Sequence, residues 1–194
     1  GGATWSEGYN YALYNFMFRD GIAYETGLGY CYSWVNNAYS IAELLKAGGS
    51  DIFTEPKMRD MARGPLQLIV LGGTTPAVGD SSSVNGGIIL PNKSVYRAAY
   101  REYRDPLIDA YVAANSISSG SSDYDSMMQA RSDRQPLESE PLPAARLLDG
   151  YGMAILENIA RDRAVSMYYG ERGGHSHRDT LAFDLYLKLD GTVY

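Results

Sequence analysis

The chain has 194 residues, which is enough for one ordinary domain or for parts of two. Hydrophobic residues make up 45% and charged residues 21%, so the chain is expected to bury a core rather than to stay disordered. A net charge of −6 argues against a general nucleic-acid binder, no apolar run approaches the roughly 20 residues of a membrane helix, and a single cysteine, Cys31, excludes an internal disulfide and a cysteine-based zinc cluster.

Helical spacing of apolar residues dominates the first part of the chain. Ser6 can cap a helix over 6–18, and 33–47 is the clearest helix, with an apolar stripe that ends at Gly48. Further helices are predicted from Pro56 to a break at Gly64-Pro65, over 95–103 and over 106–114. Glycine, threonine and serine predict a loop over 72–87.

The period of the pattern changes to two after the serine-rich stretch 116–145, which itself predicts a linker or a long surface loop. Strands are predicted over 152–156, 164–169 and 181–188. The last one alternates between an apolar and a polar face, as in a half-buried antiparallel sheet. Its apolar face carries Leu181, Phe183, Leu185 and Leu187. The residues therefore predict an α+β chain, with helices first and then the opening strands of a sheet.

Both histidines of the chain lie just before the last predicted strand, in the run G-H-S-H-R-D over 174–179. If this run is extended, His175, His177 and Asp179 share one face. One interpretation is a single zinc ion held by the two imidazoles and the carboxylate. A two-metal hydrolase would need further histidines, and the chain has none. A G-x-S-x-G elbow, a dinucleotide fingerprint and a P-loop are also absent from the sequence.

Proton chemistry is the other interpretation of this run. A histidine near tyrosine and arginine suits removal of the proton α to a carboxylate, the first step of β-elimination from a uronic acid. A base takes the C5 proton and an acid protonates the leaving O4. A tyrosine can do either, but with an ordinary pKa of about 10 it needs nearby positive charge to act as a base. The seventeen tyrosines fit core packing or a sugar-binding cleft.

Three stretches of the chain resemble the heparinase II/III-type polysaccharide lyases. Residues 20–30 are similar to the D-G-x-x-x-E-x-S-P-x-Y segment of that family, residues 76–81 to its P-x-x-G-D-S loop, and residues 174–183 to its G-H-x-H-x-D-x-L-S-F signature. The order of the three agrees. The chain departs from the pattern where Gly27-Leu28 replaces serine-proline and where Cys31 replaces the histidine that often follows the tyrosine.

The resemblance implies an architecture. Family members carry helical hairpins of an (α/α) toroid followed by an antiparallel β-sandwich. On this basis residues 1–115 are expected to be part of the toroid, 116–145 a linker or long loop, and 146–194 the first strands of the sandwich. The likeness covers an internal part of such enzymes, so the chain is expected to be a fragment of a longer protein.

The resemblance also implies roles for individual residues. Tyr30 is expected to be the catalytic tyrosine and His177 the catalytic histidine. Asp179 stands where some members hold a structural metal ion, zinc or calcium, and the chemistry itself needs no cofactor. Substrate binding is assigned to the neighbouring polar residues Glu25, His175, Arg178 and Tyr32.

The function that follows is a lyase that cleaves a uronic-acid-containing polysaccharide by β-elimination. Its expected partner is an acidic polysaccharide or oligosaccharide, with no nucleic acid and no membrane span, and a homodimer is compatible with the sequence. The resemblance implies a secreted or periplasmic location. Two alternatives stay open: a non-catalytic carbohydrate-binding protein that uses the same tyrosines, and a mononuclear zinc hydrolase built on His175, His177 and Asp179.

Overall fold

The computed structural model describes residues 8–81, 86–115, 117, 141–171, 173–178 and 180–194. Within these ranges, five α-helices precede a five-stranded antiparallel sheet whose strands neighbour one another in chain order. The helices are α1 (Gly8–Asn15), α2 (Leu28–Ala47), α3 (Pro56–Leu66), α4 (Lys93–Glu102) and α5 (Pro106–Ala114). The strands are β1 (Ala145–Leu148), β2 (Met153–Glu157), β3 (Arg163–Tyr168), β4 (Phe183–Leu189) and β5 (Thr192–Val193). None of the described helices is long and apolar enough to cross a membrane.

The predicted helices are all present, with shifted ends. The helix α2 begins five residues before the predicted start, so that Tyr30 lies in its first turn. The helix α3 includes Gly64 and Pro65 and ends at Leu66, just beyond the predicted break. Most of the predicted linker lies outside the described residues, and β1 begins within its last residues. This four-residue strand was missed because it is too short to show a clear alternation.

Helices and sheet share a core. The start of α2 and the segment 68–78 pack against the inner face of the sheet. This shared cluster contains Leu28, Cys31, Tyr32, Leu68, Val70, Leu148, Tyr151, Met153, Ile155 and Tyr186. A second cluster lies between the helices themselves, around Tyr39, Met58, Met61 and Tyr96. The helical part of the chain and the sheet that follows it are therefore joined by buried apolar contacts.

The expected toroid and sandwich are wrong. The described helices number five and do not form a toroid, and the five strands form one sheet rather than the beginning of a sandwich. The broader prediction of a mixed α+β chain agrees with the structure. The architecture was inferred from short polar motifs, and such motifs determine local contacts without determining how many helices pack together or in what arrangement.

The exposed face of the sheet corrects the prediction for β4. The apolar side chains share one face as predicted, but that face points to solvent: Phe183 is 65% exposed and Leu185 73%. The inward face instead carries Tyr186, which is 3% exposed and whose hydroxyl lies 2.8 Å from Ser166 Oγ. Lys188 follows on the same face and donates from Nζ to the carbonyl of Leu71 at 3.0 Å. The polar tips of the inward residues therefore have partners, so this face can be buried.

Two substitutions at adjacent positions of β4 test this orientation. We expect Leu185→Thr to change the free energy of unfolding by no more than about 0.5 kcal/mol, because its side chain contacts mostly solvent. We expect Tyr186→Ala to cost about 3–5 kcal/mol, because it empties a large buried site. Urea denaturation of both variants measures the difference. A loss at Leu185 as large as the loss at Tyr186 would mean that the outer face is covered.

Candidate functional site

The segment that precedes β4 lies against the N-terminal end of α2. Glu25 and Gly174 form an isolated parallel bridge, and the N–H of Thr26 donates to the carbonyl of Gly174 at 3.0 Å. The hydroxyl of the buried Thr26 also accepts the N–H of Gly173 at 2.9 Å. From the core that the helices share with the sheet, the buried hydroxyl of Tyr151 donates to the carbonyl of Thr26 at 2.6 Å. These bonds hold the segment that carries both histidines beside the start of α2, where Tyr30 lies.

Residues 79–81 contact both the histidine segment and the start of α2. The N–H of Asp80 donates to the carbonyl of His175 at 3.0 Å. Gly79 has φ +56°, and a Cβ at this position would overlap the carbonyl of His175, so only glycine allows this approach. The hydroxyl of Ser81 accepts the N–H of Leu28, the first residue of α2. The three stretches that carry the family resemblance are thus in mutual contact.

His175 lies between a carboxylate and a tyrosine. Its Nδ1 is 3.0 Å from Glu25 Oε2. Its ring stacks on the ring of Tyr30, with a centroid distance of 3.3 Å and an interplanar angle of 7°. All three side chains are partly exposed, with Tyr30 at 44%, so a ligand can reach them from solvent. The backbone of His175 is left-handed, at φ +54°, a conformation that non-glycine residues adopt rarely and that is often found at functional sites.

His177 has a different partner. Its Nε2 is 2.7 Å from Asp80 Oδ1, and both side chains are about half exposed. Arg178 follows and is exposed on the same segment. The resemblance implies catalysis for His177 and substrate binding for His175, but in the structure it is His175 whose ring stacks on Tyr30. No role was expected for Asp80, although it lies within the stretch that is similar to the P-x-x-G-D-S loop.

The residues that follow Tyr30 are buried and support the site from inside. Burial raises the pKa of the Cys31 thiol, which keeps its proton and donates to the carbonyl of Glu25 at 3.1 Å. Tyr32, which had been assigned to substrate binding, lies in the shared core, and burial raises the pKa of its hydroxyl. A buried ring cannot contact a polysaccharide in this conformation, so we do not include Tyr32 in the site.

A metal ion is the other interpretation of the histidine pair. Among the described residues, no three histidine, cysteine, aspartate or glutamate side chains come together in a way that could hold a metal ion. One nitrogen of each imidazole is already bonded to a carboxylate, on Glu25 or on Asp80. Asp179 lies outside the described residues. The described residues therefore do not form a ligand set for a structural zinc or calcium ion.

No protein-family model matches this chain, and neither does any curated protein. The chemistry of the site is therefore inferred from its own contacts. These provide a tyrosine ring stacked on an imidazole, a carboxylate bonded to that imidazole, and a second histidine–carboxylate pair, with an exposed arginine that follows this second histidine in the sequence. Such a set can accept and donate protons at a partly exposed surface.

Proposed function

We propose that the chain cleaves a uronic-acid-containing polysaccharide by β-elimination, with Tyr30 and His175 as the residues that transfer protons. The observation that carries this proposal is the stacking of the Tyr30 and His175 rings at the place where the three lyase-like stretches meet. The proposal keeps Tyr30 in the role that the resemblance implies. It assigns to His175 the proton transfer that the resemblance assigned to His177, because His175 is the histidine in contact with the tyrosine.

The reaction needs two proton transfers at one sugar ring. One proton leaves C5, and the other is given to O4, the oxygen on the neighbouring carbon C4. A base removes the proton from C5, the electron pair of that bond forms the C4=C5 double bond, and the C4–O4 bond breaks with its electrons on O4. An acid then protonates O4, so that the leaving chain ends in a hydroxyl. A phenol and an imidazole held face to face suit this sequence, since each can give or take one proton within a short distance of the same sugar.

The negative charge that develops during the reaction also needs a partner. Removing the C5 proton places charge on the carboxylate oxygens of the uronate, and a preorganised cation lowers the free energy of that state. Arg178 is exposed on the segment that carries both histidines, and its planar guanidinium matches a carboxylate in two-point contact. We therefore assign to Arg178 the binding of the uronate carboxylate. This agrees with the substrate-binding role that the resemblance implies for this residue.

The direct test is the formation of the unsaturated product. The protein is incubated with alginate, heparan, chondroitin or ulvan, and the ultraviolet absorbance of the new double bond is followed, with a neutral glucan as the control polymer. We expect a rise on at least one uronate polymer and none on the glucan. New reducing ends without the double bond would instead indicate a hydrolase, and binding without any cleavage would indicate a carbohydrate-binding protein. Either result would contradict the proposal.

A further inference from the structure

We infer that Glu25 is a positioning residue for His175: its carboxylate holds the imidazole in the tautomer with the proton on Nδ1, so that Nε2 is the nitrogen available to a ligand. The use of Nε2 in proton transfer rests on the proposed function. The orientation of the ring and the position of its proton are properties of the chain and can be measured without any substrate.

The donor and acceptor of the Glu25–His175 bond follow from the chemistry of the two groups. An ionised carboxylate can only accept a hydrogen bond, so the imidazole nitrogen 3.0 Å from Glu25 Oε2 must carry the proton. In a neutral imidazole the other nitrogen, Nε2, then has a free lone pair. A general base is commonly oriented in this way by a third group bonded to its far side.

The stacking contact with Tyr30 cannot by itself orient the imidazole. A parallel stack at 3.3 Å restricts the plane of the ring, but a half-turn about the Cβ–Cγ bond leaves that plane unchanged. The half-turn exchanges the place of Nδ1 with that of a carbon, and the place of Nε2 with that of another carbon. Of the contacts that the His175 ring makes in the described structure, the bond to Glu25 is the one that distinguishes these two orientations. Tyr30 thus restricts the plane of the imidazole ring, and Glu25 selects one of the two orientations that the ring can take within that plane.

The backbone places the Glu25 carboxylate where this selection requires it. Glu25 is bridged to Gly174, the residue directly before His175, and its carbonyl accepts the Cys31 thiol. A Cβ at Gly174 would overlap the Glu25 carboxylate, so the glycine makes room for the carboxylate beside the histidine. The left-handed backbone of His175 turns the ring toward Glu25, and the bond from Asp80 N–H to the His175 carbonyl stabilises this conformation.

This role differs from the substrate contact that the sequence suggested for Glu25. A carboxylate bonded to the imidazole is already engaged, and a free carboxylate would repel a uronate. A positioning role and a substrate contact make different kinetic predictions. Loss of a positioning residue lowers kcat, because the base is misplaced, whereas loss of a uniform substrate contact raises KM with kcat unchanged.

The experiment compares four proteins, the wild type and three variants, by the nitrogen-15 shifts of their imidazole rings, which report which nitrogen carries the proton. In the wild type at a pH where His175 is neutral, we expect the proton on Nδ1. Glu25→Gln keeps an acceptor oxygen and is expected to keep this tautomer. Glu25→Ala removes the acceptor and is expected to shift the ring toward the Nε2–H form. Glu55→Gln is the matched control, because Glu55 accepts a hydrogen bond from the hydroxyl of Tyr14, elsewhere on the surface.

Kinetics on the uronate polymer that the wild type cleaves provide the second readout. We expect Glu25→Ala to lower kcat about 10- to 100-fold with little change in KM, and Glu25→Gln to lower it less. A raised KM at constant kcat would overturn the positioning role in favour of substrate binding. If the wild type cleaves no polymer, the proposed function fails, and the tautomer alone decides about Glu25. A wild-type His175 with its proton on Nε2, or a Glu25→Ala variant that keeps Nδ1–H, would overturn the inference.

Discussion

Replacement of Tyr30 by phenylalanine is expected to lower kcat on the cleaved polymer by about 10²- to 10⁴-fold with KM nearly unchanged. The phenyl ring retains the face that stacks on His175, so the local packing and the orientation of the imidazole are expected to survive. The variant lacks only the hydroxyl, which we propose as the acid that protonates the leaving O4, with His175 as the base. Initial rates of double-bond formation over a range of polymer concentrations separate the effects on kcat and KM.

The matched control for this prediction is Tyr14→Phe. Tyr14 is also exposed on a helix, and its hydroxyl donates to Glu55 at 3.0 Å, outside the candidate site. We expect this variant to keep wild-type kinetics. An active Tyr30→Phe variant would exclude the tyrosine as the proton donor. A variant that loses binding but keeps kcat would assign the Tyr30 hydroxyl to sugar binding, as in the alternative of a carbohydrate-binding protein.

A loss of stability as large as that of Tyr186→Ala is expected at Glu157, the last residue of β2. Its side chain is only 2% exposed, and its Oε1 accepts the N–H of Leu71 at 2.9 Å and Nη2 of Arg146 at 2.8 Å. Arg146 is equally buried, so Glu157→Ala leaves an unpaired buried cation, which costs about 3–5 kcal/mol. Urea denaturation measures this loss. Asp149→Asn, which breaks the exposed ion pair between Asp149 and Arg19, is the control and is expected to have little effect.

The same carboxylate predicts how stability depends on pH. Burial by itself raises the pKa of Glu157, but the hydrogen bonds from Arg146 and from the N–H of Leu71 outweigh it and hold the pKa below its ordinary value. Between the lowered folded pKa and the ordinary value of about 4.3, the unfolded chain binds more protons than the folded one, so stability rises with pH. This contribution is complete above the ordinary value and is lost as the pH falls through the folded pKa. Glu157→Gln should remove that part of the acid dependence, and an unchanged acid profile would contradict the assignment.

The helices illustrate what an apolar pattern can and cannot predict. The stripe of α2 was clear from Ser33 onward because 3.6-residue spacing is a local property. The first turn, which carries Tyr30, was missed because the residue before it, Gly27, has no side chain to cap a helix. The N–H of Leu28 instead finds its acceptor on Ser81, 53 residues later in the sequence. A helix start that depends on a distant acceptor cannot be recognised from neighbouring residues.

The candidate site shows the same limit at the level of single side chains. An extended conformation was expected for 175–179, which would place His175 and His177 on one face. In the structure β4 begins only at Phe183, and the left-handed φ of His175 turns the two imidazoles toward different carboxylates. The structure brings the segments that carry the three motifs into contact. The motifs could not predict which histidine would contact Tyr30, because that depends on how the segments pack.

The amino-acid sequence alone was enough to predict helices followed by strands, a mixed α+β class and a polar segment around the two histidines, because periodicity and residue chemistry are local. The tertiary structure alone decided that the apolar face of β4 points outward, that helices and sheet share one core, and that His175 stacks on Tyr30 beside Glu25. These features depend on contacts between residues far apart in the chain. Buried polar groups contribute to these arrangements through partners elsewhere in the fold, as the hydroxyl of Tyr186 does with Ser166 and that of Tyr151 with Thr26.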